Sequence, residues 1–155
     1  MRNAKKLFTK SFFLFCPDSI FTMKYTAKRK AHLRLGRRGE RLCAALLKHK
    51  GMVILARNFR TSYGELDIVA RDGETLVFVE VKTLRKIGKY RPIDNYKVRQ
   101  MRRNIRAAHE YVRLVEAMHM PLRFDFTEVV LPEFGFMKIY HYKDFMQGVD
   151  NRRLI

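Results

Sequence analysis

The run Thr75–Thr83, TLVFVEVKT, constrains the fold more than any other stretch. Its first half is apolar at consecutive positions, so both faces of a strand built from it need cover, which makes it a central strand. Asp72-Gly73, just upstream, is a hairpin signal. Gly64–Arg71, GELDIVAR, alternates as an antiparallel neighbour should, with Glu65, Asp67 and Val69 on one face and Leu66 and Ile68 on the other. Met52–Arg57, Leu122–Leu131 and Phe136–Tyr142 read as further strands. Val98, Met101, Ile105, Ala108, Val112 and Val115 recur at steps of three and four, which predicts a helix over Asn95–Met118. A first helix is expected over Leu35–Lys50, with Leu35, Leu42 and Leu46 on one face and Gly51 as its stop. The order helix, three strands, helix, two strands gives an α/β (α+β) fold with one mixed central sheet flanked by helices.

Glu80 and Lys82 break the apolar character of the central strand two residues apart. Across the hairpin, Asp67 stands five residues before Asp72 and Glu80 seven after Gly73, offsets that bring the two carboxylates close on adjacent strands. Side by side they repel, and a hard divalent cation, Mg²⁺ or Mn²⁺, would relieve that repulsion. Such a cation polarises a phosphodiester and acidifies a bound water. Lys82 projects to the same side, where an ammonium can offset charge growing on phosphate. The bland reading is a surface hairpin whose Glu80 and Lys82 form an ordinary ion pair; the flanking apolar residues oppose it.

Charge points to the partner. The chain has 155 residues, 33 Lys+Arg against 15 Asp+Glu, and a net charge of +18. That balance suits a polyanion, most simply nucleic acid. Two cysteines, Cys16 and Cys43, form no metal-binding or disulfide pattern, which fits a reducing cytoplasm. No apolar run approaches the roughly 18 residues of a membrane span, so no membrane partner is expected. Residues 1–34 read as a basic extension, either disordered or a start-site artefact with translation beginning at Met23. Residues 35–148 form the expected domain and 149–155 a C-terminal tail.

Several stretches in order, GRRGE, RNFR, GELDIVA, FVEVK, a basic helix containing Lys97, and RFDF, resemble the YraN family over about Leu35–Leu131. The resemblance implies a restriction-endonuclease-like core, similar to archaeal Holliday junction resolvases, with a PD-(D/E)xK site. It assigns Asp67 and Glu80 as metal-binding acids, Lys82 as the catalytic lysine, and Glu40 of GRRGE as a helix acid completing the site. It implies that Lys97 contacts phosphate. Family members commonly continue EVKTR, whereas here Leu84 precedes Arg85.

The expected nucleic-acid surface comprises Arg60, Arg85, Lys86, Lys89 and Lys97, with Arg99, Arg102, Arg103 and Arg106 on the outer face of the second helix. Such residues hold backbone phosphates and read no sequence, so DNA shape or branching is the expected target. Residues 84–92, LRKIGKYRP, form a basic loop that includes Arg91. Tyr90 and Tyr96 interleave the basic run as packing residues that could also stack on bases, and His109 and His119 read as structural. The leading reading is a metal-dependent endonuclease acting on structured or branched DNA. The alternative is a non-catalytic nucleic-acid-binding protein that retains the fold; a basic ribosome- or membrane-associated protein is a weaker third. Cutting two strands symmetrically would need two sites and hence a homodimer.

Overall fold

The computed structural model describes residues 18–89 and 91–146, with side chains from 29 onward. Helix α1 spans Asp18–His49, followed by β1 (Val53–Thr61), β2 (Gly64–Asp72), β3 (Thr75–Leu84), a 3₁₀ turn (Ile93–Asn95), α2 (Val98–Leu114), β4 (Leu122–Val130) and β5 (Lys138–Tyr142). The sheet order is β1-β2-β3-β4-β5. Neighbours are antiparallel except β3 and β4, which α2 connects in parallel. This is the mixed sheet flanked by helices that the sequence implied, with β3 at its centre. Met1–Leu33 and Arg34–Ile155 form two separate units, and the sheet and α2 belong to the second.

Helix α1 begins well before Leu35. Pro17 cannot sit inside a helix, Asp18 suits a helix start, and the following stretch, rich in Lys, Arg, Ala and Leu, is free of Gly and Pro up to Gly36. Residues 18–34 are helical backbone continuous with Leu35–His49; residues 1–17 and 149–155 lie outside the described residues. The helix ends as expected. Gly51, at φ +86°, lets its own amide reach the Lys48 carbonyl and the Met52 amide reach that of Leu47.

One cluster, Cys43, Ala44 and Leu47 against Ile68, Val77 and Val79, lies under α1. The other, Ile105, Ala108 and Tyr111 against Val69, Phe78 and Phe124, lies under α2. The buried stripe of α1 thus runs through Gly39, Cys43 and Leu47, while Leu35, Leu42 and Leu46 flank it. Gly39 sets the spacing: a Cβ there would meet the Thr83 Oγ1 at 1.9 Å.

The β1–β2 ladder departs from simple alternation twice, once at a register shift between Ile54 and Ala56 and once near Asn58. Leu66 packs under α2 with Val69, whereas Ile68 faces α1. The cause lies opposite: Asn58 takes φ +50° between the Arg57–Ile68 and Phe59–Leu66 pairs, so both strands change facing there. The hairpin closes on the Asp72–Thr75 pair, which makes Gly73 and Glu74 the turn rather than Asp72-Gly73.

Helix α2 is shorter than its periodicity. Tyr96 is held extended, its ring edge-on to Phe126 and Phe145, which delays the start to Val98. At the other end Glu116 takes φ +55° and the Ala117 amide bonds back to the Val112 carbonyl. Val98 and Val115 are consequently exposed, and so is Phe136, which precedes β5.

Candidate active site

The β2–β3 ladder runs from Asp72–Thr75 to Ile68–Val79. Continuing that register puts Asp67 opposite Glu80, but there the Val81 amide donates to the Asp67 Oδ2 at 2.8 Å instead of to backbone. Asp67 thus replaces a ladder bond at the point where the strands change facing. Burial and the neighbouring charge of Glu80 raise its carboxyl from 3.8 to about 7, with Glu40 adding to the push and the Val81 amide and Lys82 opposing it.

Glu80 is buried and looks toward α2. Asn104 Nδ2 donates to its Oε2 at 2.7 Å, Gln100 Nε2 to its Oε1 at 3.2 Å, and the Lys82 ammonium pairs with Oε1. Asn104 also donates to the Tyr96 hydroxyl at 2.7 Å. Gln100 and Asn104 are one helical turn apart and face the sheet together. Glu40, one residue beyond the Gly39–Thr83 contact, accepts from Asn58 Nδ2 at 2.8 Å and lies 4.0 Å from Arg57. Asp67 and Glu80 suit a hard dication, since Mg²⁺ commonly takes one or two carboxylates and keeps waters for the rest. No set of three His, Cys, Asp or Glu converges to hold a metal among the described residues, so Glu40 adds field rather than completing a ready cage.

The next strand shows the opposite treatment of buried acids. Asp125 accepts from Arg123 Nε and Nη2 at 2.9 and 3.0 Å, from His141 Nε2 at 2.9 Å and from the Asp144 amide at 2.9 Å. Burial alone would raise its carboxyl, yet these bonds outweigh it and hold Asp125 below the ordinary range. Glu128 accepts from Arg91 Nε at 2.8 Å and the Ile93 amide at 3.1 Å. Arg91 also lies 4.1 Å over the Tyr140 ring. This arginine, read from sequence only as part of the basic run, anchors the loop after β3.

Lys97 caps α2 and is exposed, as are Arg85, Lys86, Lys89, Arg99, Arg102, Arg103 and Arg106. The arginines of α2 do share an outward face, while Arg60 lies in β1 beside Glu65 at 3.7 Å. Tyr96 packs in the core, Tyr90 lies outside the described residues, and burial with the Arg113 charge lowers the His109 imidazole. Sequence reasoning missed Gln100 and Asn104, whose amides vanish between an apolar and a basic stripe. It also missed Arg34, Arg37, Arg41 and Arg57, which line a recess beside Glu40.

The fold is a mixed α+β core, a five-stranded mixed sheet with two helices, and it is compatible with a nuclease-like α/β core. The model of the uncharacterised protein family UPF0102 matches residues 39–129, more than half of the chain. Relatives described as UPF0102 proteins include one from Dictyoglomus turgidum, 32% identical over 70% of this chain and 92% of its own. Another, from Rhodococcus opacus, is 37% identical over 73% and 96%, and one from Thermotoga petrophila is 42% identical over 58% and 81%. The chain belongs to the UPF0102 family, the same family as the YraN resemblance. No helix among the described residues is long and apolar enough to cross a membrane.

Proposed function

We propose that the protein is a metal-dependent endonuclease that hydrolyses phosphodiester bonds in DNA, with structured or branched DNA as its substrate class. One observation carries the reading. Within a single sheet, Asp125 and Glu128 are each matched with an arginine, whereas Asp67 and Glu80 share one half-exposed lysine, which pairs with Glu80 and leaves the Asp67 carboxyl raised. Two buried carboxylates that share a single cation cost stability, and functional sites are where that cost is retained. A bound Mg²⁺ or Mn²⁺ would supply Lewis acidity and a water of lowered pKa. Asp67 and Glu80 would hold it, Gln100 and Asn104 would fix the orientation of Glu80, and Lys82 would sit beside the phosphate. The exposed arginines of α2 would track the backbone. A cut on both strands would call for a homodimer.

The Glu80 oxygens are already engaged by Lys82, Gln100 and Asn104, which favours a second reading: a nucleic-acid-binding protein that does not cut. A panel of junction, flap, single-stranded and duplex DNA with Mg²⁺, Mn²⁺ or chelator separates the two. Cleavage by the wild type that Asp67→Asn and Lys82→Ala abolish supports the nuclease. Tight binding with identical, metal-independent inertness of all three proteins supports the binder.

A further inference from the structure

The turn between β1 and β2 is fastened to the outer side of α2. The Ser62 amide and hydroxyl donate to Glu110 Oε2 at 3.1 and 2.6 Å, and Arg103 Nε donates to the Tyr63 carbonyl at 3.3 Å. Within the turn, Thr61 Oγ1 accepts from the Tyr63 and Gly64 amides at 3.2 and 3.1 Å. Five hydrogen bonds thus fix the backbone under one side chain, and that side chain is 43% exposed. The Tyr63 ring stands beside a recess of about 330 Å³ that it shares with Arg106, His109 and Arg113. The Arg106 guanidinium lies 5.8 Å from the ring centroid.

A structural role accounts poorly for this arrangement. An exposed cation–π pair contributes little to stability, and Tyr63 is absent from both core clusters. A rigid aromatic face next to two arginines is instead what a single-stranded nucleic acid requires: a platform for one base and cations for its phosphate. A base inside a continuous duplex has both faces covered and cannot use it. His109 is kept from charging by burial and by Arg113, so it adds a flat neutral wall rather than a third cation.

We propose that the recess between the β1–β2 turn and α2 binds an unpaired nucleotide, its base stacked on Tyr63 and its phosphate held by Arg106 and Arg113. The inference rests on nucleic acid being the ligand and adds the reason that branched DNA is preferred to duplex. Helix α2 presents Asn104 to Glu80 on one side and Arg106 to the recess on the other, so it ties the docked nucleotide to the acids.

The test is fluorescence anisotropy with the full chain in chelator, using a labelled oligothymidine, a blunt duplex and a duplex with a single-stranded arm. Tyr63→Ala is expected to weaken the oligothymidine and the arm about 5- to 150-fold, the range for losing one base–aromatic stack, with duplex binding unchanged. Tyr63→Phe keeps wild-type affinity. The chain has no tryptophan, so in Tyr63→Trp the emission reports the recess alone, and oligothymidine should quench it. Equal binding of all probes by wild type and Tyr63→Ala, an equal loss on duplex, or unquenched Tyr63→Trp would overturn the inference while leaving the nuclease reading in place. Discrimination by Tyr63 in a protein that never cuts supports the recess and removes only the nuclease reading. No binding of any probe by the wild type removes both.

Discussion

Replacing Gly39 by alanine gives opposite signs for two accounts of the first helix. In an exposed or loosely packed helix interior, Gly→Ala stabilises by about 1 kcal/mol, because glycine carries the larger entropy loss. Here the added Cβ would lie 1.9 Å from the Thr83 Oγ1 and 2.9 Å from both the Cβ and the Cγ2 of Thr83. No side chain of its own can swing away, since the added atom is fixed by the backbone, so α1 or the end of β3 must shift. Overpacking of this kind costs about 1–3 kcal/mol. At the upper end of that range, and after subtracting the helix gain, Gly39→Ala should lose about 1–2 kcal/mol. The matching fall in Tm is about 2–4 °C per kcal/mol for a chain of this length. Urea denaturation followed by circular dichroism reads the change directly. Adding Thr83→Ala removes the Oγ1 and Cγ2 contacts and leaves the Cβ contact, so the double variant should recover part of the loss, a coupling a double-mutant cycle resolves. A gain of about 1 kcal/mol for Gly39→Ala alone would refute the close approach of α1 to β3, and with it the placement of Glu40 beside the site.

Arg123→Met should destabilise by about 3 kcal/mol, because it strips the bidentate partner from Asp125, which is 0% exposed; thermal melts check it. Glu116→Gly should stabilise by about 0.5–1 kcal/mol by relieving a positive φ at the end of α2, read as a higher urea midpoint. Arg102→Ala should reduce the slope of log K against log salt for duplex DNA by about 0.9, whereas Arg91→Ala, whose guanidinium is committed to Glu128, should leave that slope unchanged.

The strands were legible because the turn chemistry at Asp72-Gly73 and the doubly apolar start of β3 leave little choice of neighbour. That hairpin brought Asp67 close to Glu80 but left the register open: a turn at Asp72-Gly73 would set Asp67 opposite Phe78, and the observed turn at Gly73-Glu74 sets it opposite Glu80. Other features depended on contacts no periodicity records. The twist at Asn58 moves Leu66 to the α2 side, and nothing in GELDIVA signals it, because the cause is a residue on another strand. Gln100 and Asn104 gain meaning only when α2 is laid over β3. Arg91 looked like one more cation in LRKIGKYRP, and its difference from Arg85 and Lys86 is a buried carboxylate on β4. Conversely, the basic stripe of α2 was readable outright, since helical spacing alone gathers its arginines on one face.

The stability of the protein against pH offers the sharpest separation of a working site from a poorly packed one. Asp67 binds its proton more tightly folded, at about 7, than unfolded, at 3.8. Between those values the native state holds a proton that the unfolded state lacks, so stability falls as pH rises, by up to about 1.4 kcal/mol per unit. Above about 7 both states are ionised and the loss is complete. Asp67→Asn removes the titrating group while keeping an acceptor oxygen for the Val81 amide. In metal-free buffer the variant should therefore outlast the wild type at pH 8, and its stability should vary less between pH 4 and 7, as urea midpoints across that range will show. If Asp67 were a packing defect with no role, the exchange would bring this gain without any cost. The nuclease reading demands that the same substitution abolish metal-dependent cleavage, because the repulsion it removes is what a cation would bind to relieve. Lower stability of Asp67→Asn at pH 8 would instead mean that the carboxylate is already compensated in the folded protein, and the electrostatic argument for the site would fall.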